Sequence, residues 1–247
     1  MATLTRVFGA LIPLQPVAWT DGGLLCAPQG APEAAASAIA SCPLPVSAVP
    51  SVPVWPDSSC ALVAGWYRRS DRHATAPSGM RELVQTAGGG FGPGDHPTTV
   101  MCLSALDGLP PGDAVDVGCG SGLLTQAWAR LGRGRVLAID LDPAALAQTR
   151  ASVDLAGVGA LVETRRQAVE TCPIDALAGK ILLANIPVAA HDVLLRRLRI
   201  APAAAVVSGL RPRDATPIVD RYRRLGMRRV RSTRLGPFDC HVLVGPR

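Results

Sequence analysis

Asp116, Gly118, Gly120 and Gly122 occupy alternate positions where the apolar run from Ala114 ends, and Asp140 closes the next apolar run, which begins at Arg135. Glycines spaced this way let a backbone turn tightly off a strand and let a ligand approach without meeting Cβ atoms. Asp140 lies near the spacing at which α/β nucleotide folds place a carboxylate on ribose hydroxyls. The chemistry is therefore nucleotide binding. The spacing narrows it further, because G-x-G-x-G is not the G-x-G-x-x-G fingerprint of pyrophosphate-binding dinucleotide folds. Cys119, inside the turn, reads as a small buried residue and not as a nucleophile.

A second glycine-rich stretch, Gly88–Thr99, runs into the periodic segment Val100, Leu103, Ala105 and Leu106. Thr98 or Thr99 is placed to cap that helix, and a glycine loop feeding a helix N-terminus suits an anion or carboxylate. His96 in this loop and Asn185 at the end of a later strand are the further polar candidates.

These residues need a scaffold, and the remaining pattern supplies one. Leu124, Ala127, Trp128 and Leu131 recur at helical spacing after the glycine turn. Asp142 and Pro143 form an N-cap and first-turn pair for a helix running to Gly157. Leu161–Thr164, Lys180–Ala184 and Ala203–Val207 read as strands, with helical spacing at Val193, Leu194 and Leu198 and again over 214–225. Arg228–Arg231 and His241–Val244 read as two terminal strands. Alternating strands and helices predict an α/β fold with a parallel sheet covered on both faces. Gly118, Asp140, Ala168 and Asn185 all fall at carboxyl ends of strands, where such sheets bind ligands.

Residues 1–80 read differently. Prolines at 28, 32, 43, 45, 50, 53 and 56 break most windows, leaving room for one short helix over Pro32–Ala40 and a strand over Ala61–Tyr67. This segment reads as a small irregular cover or substrate-recognition unit ahead of a larger domain over 81–247; the alternative is a segment too poor in buried area to order.

The seven cysteines include no C-x-x-C pair, which argues for reduced thiols in a cytoplasmic protein and against a disulfide frame or metal site. The apolar run Val7–Ile12 is interrupted by Pro13 and Pro16, short of a secretory core, and no window reaches the roughly 20 apolar residues of a membrane span. The net charge of +6 comes almost wholly from arginine, with Lys180 the only lysine. Arginines crowd between 196 and 234 with Tyr222 as the one aromatic among them, too few for a stacking platform, so they read as solvated faces and direct nucleic-acid binding is not expected.

The residues Asp116–Gly122, Ala138–Pro143 and Ala184–Asn185–Ile186 resemble successive motifs of the Rossmann-like S-adenosylmethionine-dependent methyltransferases. More narrowly, Phe91–Gly92–Pro93–Gly94–Asp95–His96–Pro97–Thr98–Thr99 resembles the F-G-T-G-x-H-P-T-T loop of the ribosomal protein L11 methyltransferase family. The resemblance spans about Gly79 to Arg247. Pro93, Gln85–Thr86 and Pro187 depart from the family pattern, and the family's N-terminal substrate-recognition domain is not recognisable in the first eighty residues.

The resemblance implies a seven-stranded, mostly parallel sheet and the cofactor S-adenosyl-L-methionine. Asp116, Gly118, Cys119, Gly120 and Gly122 would shape the site around the methionine part, Asp140 would hold the ribose, and Leu141 and Ala168 would flank the adenine. Thr98 or Thr99 would reach over the cofactor, and Asn185 would face the reacting methyl group. His96 would pass a proton to solvent or order the loop by a hydrogen bond. The implied acceptor is an amino nitrogen of a protein, such as a ribosomal protein; a small molecule or short peptide is the alternative. A nicotinamide-dependent oxidoreductase is disfavoured by the glycine spacing. A silent scaffold is disfavoured by the retention of Asp140 and the glycine turn.

Overall fold

The computed structural model describes residues 14–20, 23–28, 60–61, 65–70, 75–86, 88, 90–92, 94–172 and 177–246. The expected helix over Pro32–Ala40 and the departure at Pro93 lie outside them. The chain divides into two compact units, Met1–Ser58 and Ser59–Arg247. In the first, β1 (Leu14–Thr20) and β2 (Gly23–Pro28) pair antiparallel, with a register shift between Pro16 and Ala18.

In the second unit, β3 (Cys60–Ala61), β4 (Trp66–Ser70) and β5 (Arg81–Gln85) form a small sheet in which β4 and β5 run parallel. The strand expected over Ala61–Tyr67 is thus the ends of two strands. The boundary expected near residue 80 also moves: β4 and β5 pair along their length, and Trp66 and Leu83 are fully buried in the larger domain's core. The compact unit therefore starts at Ser59.

The main sheet follows the alternation of the sequence. In order come α1 (Pro97–Leu106), β6 (Ala114–Val117), α2 (Leu123–Arg130), β7 (Val136–Asp140), α3 (Pro143–Leu155) and β8 (Val162–Arg166). Then follow β9 (Ile181–Asn185), α4 (Val188–Arg197), β10 (Ala204–Leu210), α5 (Pro212–Arg224), β11 (Arg228–Leu235) and β12 (Phe238–Val244). The seven strands lie in the order β11-β12-β10-β9-β6-β7-β8. Six run in one direction, and β12 alone is reversed, entering antiparallel between β10 and β11.

β6 is buried at every residue, and β9 and β10 nearly so, as strands covered on both faces must be. Side chains alternate between the faces: Ala114, Leu183 and Val206 join α1 and α2 in one core, whereas Val115, Leu182, Ala205 and Val207 join α4 and α5 in the other. Leu146 of α3 packs with Ala138 on the α1–α2 face. The sheet edges differ in sign and shape from this interior: β11 carries Arg228, Arg229, Arg231 and Arg234 and is exposed almost throughout, and β8 ends on Arg165 and Arg166, both exposed.

The topology fixes where a ligand can sit. The chain builds β6, β7 and β8 in one direction, then returns to place β9 on the other side of β6. The loops after β6 and β9 therefore part, leaving a crevice at the carboxyl ends of the strands.

Candidate functional site

The crevice is a cavity of about 740 Å³, within the size range of small-molecule sites. Of the residues singled out in the sequence, Thr98, Thr99, Asp116, Gly118, Cys119, Gly120, Asp140, Leu141, Ala168, Asn185 and His96 all line it. Gly122 does not. It is the N-cap of α2 at φ 82°, and a Cβ there would meet Thr149 Oγ1 at 2.7 Å.

The glycine turn is demanded by its protein neighbours as well as by its dihedrals. Gly118 and Gly120 have φ of 71° and 55°, values that cost a side-chain-bearing residue on the order of 1 kcal/mol or more. A Cβ on Gly118 would lie 2.6 Å from Ile186 Cγ2, and one on Gly120 would overlap the Phe91 carbonyl oxygen. That carbonyl accepts from Ser121 N at 2.9 Å, and the Ser121 hydroxyl donates to the Gly92 carbonyl at 2.6 Å. The two glycine-rich stretches of the sequence are thus one structure, the first loop lying on the second.

Side-chain amides anchor the approach to that loop. Gln148 donates to the Thr86 carbonyl at 2.6 Å and accepts from Gly90 N at 2.8 Å. Gln126, fully buried on α2, accepts from Val84 N at 2.6 Å and donates to Val84 O at 2.8 Å, giving β5 the pair of bonds a neighbouring strand would. Such buried amides are expensive to leave unpaired, about 1–3 kcal/mol each.

His96, not Thr98 or Thr99, caps α1. Its Nδ1 accepts from Thr98 N and lies 2.8 Å from Thr98 Oγ1, and Pro97 takes the first helical position. Proline is pre-shaped for that position, so the cap falls on the residue before it. With Nδ1 accepting a backbone N–H, the imidazole carries its proton on Nε2. Burial lowers its pKa below the usual histidine value, against the nearby Asp95 charge. The ring packs between Phe91 and Phe238, with centroids 5.4 Å and 5.1 Å away.

Asp140 stands half-buried at the end of β7. Its Oδ2 accepts from Gly120 N at 2.9 Å and its Oδ1 from Asp142 N at 3.0 Å, so each oxygen keeps a lone pair for a further donor. Asp116 is wholly buried and takes the Thr125 hydroxyl at 2.6 Å. Desolvation, reinforced by the Asp140 charge and opposed by Thr125, pushes its pKa up to about 7. Burial likewise raises the Cys119 thiol, which keeps it protonated and unreactive.

The walls divide by chemistry. Ile139, Leu141, Ala145, Ala168 and Val169 give an apolar slot beside Asp140; Asn185, Ile186, Pro187, Gly209 and Phe238 form the opposite wall. Asp116, Asp140, Asp142 and Glu170 are carboxylates on the lining, and among the described residues that form it there is no lysine or arginine. Gly209 and Phe238 are absent from the sequence-based set. Each lies far from the other site residues in the chain, and neither carries a local pattern. Among the described residues no cluster of His, Cys, Asp and Glu could hold a metal ion, and no helix is long and apolar enough to cross a membrane.

Comparison with known proteins agrees with this architecture. The ribosomal protein L11 methylase of Lactobacillus delbrueckii subsp. bulgaricus has the same fold, with a TM-score of 0.63 at 18% identity over 76% of this chain and 99% of that one. The ribosomal protein L11 methyltransferase of Gloeobacter violaceus is 34% identical over 170 residues, covering 67% of this chain and 53% of its own. That of Heliobacterium modesticaldum is 44% identical over 124 residues, covering 47% and 35%. The chain spans about half the length of the curated relatives it matches, and the family model described as ribosomal protein L11 methyltransferase (PrmA) matches residues 76–234. On that match, the chain belongs to the ribosomal protein L11 methyltransferase family.

Proposed function

We propose that this protein is an S-adenosylmethionine-dependent methyltransferase acting on amino nitrogens of a protein, with ribosomal protein L11, named in its relatives, as the first acceptor to test. The observation that carries the reading is a cavity with four carboxylates and no described lysine or arginine on its lining. Such a field favours a ligand bearing positive charge, here a sulfonium and an α-amino group, and disfavours the pyrophosphate of a dinucleotide.

The residues present fit the group. The free lone pairs of Asp140 suit a vicinal diol through charge-assisted hydrogen bonds, and the slot formed by Leu141, Ala168 and Val169 suits a flat base. Asp116, Gly118, Cys119 and Gly120 border the remaining length, and Thr98 and Thr99 close it from the α1 side. When bound, S-adenosylmethionine supplies a methyl group already activated for in-line attack.

What remains for the chain is positioning and exclusion of water. Asn185 presents an amide oxygen that accepts a hydrogen bond from the incoming amine and aims its lone pair. The amine reacts neutral, its proton lost to solvent. His96 orders the Phe91–Thr99 loop, because taking a proton at Nδ1 would break the cap it makes. Gly122 shapes the turn from behind.

Calorimetry with S-adenosylmethionine and intact-mass analysis of purified L11 incubated with it test the reading. Binding and mass increments of 14 Da per methyl, roughly the mass of CH₂, are expected. Asp140→Ala should abolish binding, whereas Asn185→Ala should mainly slow turnover. Absence of cofactor binding would overturn the reading, and label appearing only on a small-molecule panel would replace the protein acceptor.

A further inference from the structure

His191 has no part in the site as described. It lies in the first turns of α4, fully buried, and its ring crosses to β10, where Nε2 donates to the Ser208 carbonyl at 2.9 Å. Its backbone N–H donates to the Pro187 carbonyl at 3.1 Å. The antiparallel register between β10 and β12 breaks between Val207 and Leu210, so the ladder is interrupted where His191 binds.

Ser208 is a meeting point. It pairs with Asn185 across β9 and β10, and its hydroxyl donates to the Asp239 carbonyl at 3.0 Å, one residue from Phe238. The next residue, Gly209, has φ 82° and packs its backbone so closely on Ile186 that a Cβ would overlap the Ile186 carbonyl oxygen. Asn185–Pro187, Gly209 and Phe238, three segments distant in sequence, thus converge on Ser208 to make one wall of the cavity.

We infer that His191 is a positioning residue for the acceptor side, holding Asn185 and the wall around it in register through the Ser208 carbonyl. The inference rests on the methyltransferase reading. His191 touches neither cofactor nor acceptor in it; it acts through Ser208 and Pro187. The donor persists across the neutral range, since burial depresses the imidazole pKa to about 4.

The test uses the full chain and three variants. His191→Leu removes the donor, and His191→Asn keeps a polar group too short to reach Ser208. His191→Gln places an amide nitrogen where Nε2 lies. Each is measured for S-adenosylmethionine affinity, for kcat and KM with L11, and for backbone hydrogen exchange of 185–190 and 208–211 in the cofactor-free protein. The leucine and asparagine variants should lose about tenfold or more in kcat, the usual penalty for slight misplacement, with cofactor affinity within about twofold of wild type. Both should exchange faster in the two segments, and the glutamine variant should recover kcat and protection together. Unchanged exchange in all three, or an asparagine variant as active as the glutamine one, would overturn the inference. Wild-type protein that fails to bind S-adenosylmethionine would instead overturn the reading beneath it, while the exchange pattern would still decide the His191 contact.

Discussion

At the β6–β7 end of the cavity the main chain does the shaping: Gly118 and Gly120 turn at positive φ, the Phe91 and Gly92 carbonyls lie on Ser121, and Asp140 is held by two backbone N–H groups. At the β9–β10 end the shape comes from side chains reaching in from elsewhere, His191 from α4, Ser208 to the hairpin, and Phe238 from β12. A site made of main chain needs glycines at fixed places and leaves a motif. A site made of convergent side chains leaves none. The half proposed to hold the cofactor is therefore the more readable one, and at the half proposed to face the acceptor only Asn185 carries a motif.

The sharpest way to break this contrast is Gly120→Ala. With a positive φ and the Phe91 carbonyl against its Cβ, the variant should lose roughly 2–4 kcal/mol of stability and S-adenosylmethionine binding with it. Calorimetry and a denaturant melt check both, and near-wild-type affinity would show that the loop above the turn has slack.

Asp116 gives a subtler probe of the same half. Its folded pKa of about 7 lies above the ordinary carboxylate value of 3.8, so between those values the folded state holds a proton the unfolded chain has released. Raising pH through that window favours unfolding, by at most about 1.4 kcal/mol per pH unit. Denaturant melts from pH 4 to 8 should show wild-type stability falling toward pH 7 and levelling above it, and Asp116→Asn should flatten that fall.

Gln126→Leu tests the support behind the motif. Leaving Val84 N–H and C=O without the Gln126 amide should cost about 1–3 kcal/mol, read as a lower denaturation midpoint with turnover per folded molecule retained. Smallest of all should be Asp107→Asn. The Arg81–Asp107 pair is short, at 2.7 Å and 2.9 Å, but its side chains are 34% and 46% exposed, and solvent screening limits such a pair to about 1 kcal/mol or less.

Much of the scaffold is legible too, for a different reason. β6, β9 and β10 are mostly apolar because both their faces are covered, Asp116 being the buried exception in β6, and Asp142 caps α3 as its type and the following proline require. The order of the last strands was not legible, since a β12 that slips between β10 and β11 has the same sequence as one at the edge. The cap of α1 falls on His96, the residue that Pro97 marks, and not on either of the threonines that follow. Gln126 and Gln148 carry no pattern of their own, because their partners, Val84 on one side and Thr86 and Gly90 on the other, are reached only through the fold. His191 had no local signal because its partner, Ser208, is reached only through the fold.

The arginines of β11 bear on what happens when copies of this protein collide. A bare edge strand is an invitation to extend the sheet into another molecule, yet two such edges meeting here would set Arg228, Arg229 and Arg231 of one against the same three of the other, Arg234 being paired with Asp239. The repulsion reaches only about 8 Å at physiological ionic strength, the range over which strands begin to pair. The basic composition of the chain thus acts as a colloidal brake, strongest in dilute buffer and released by salt.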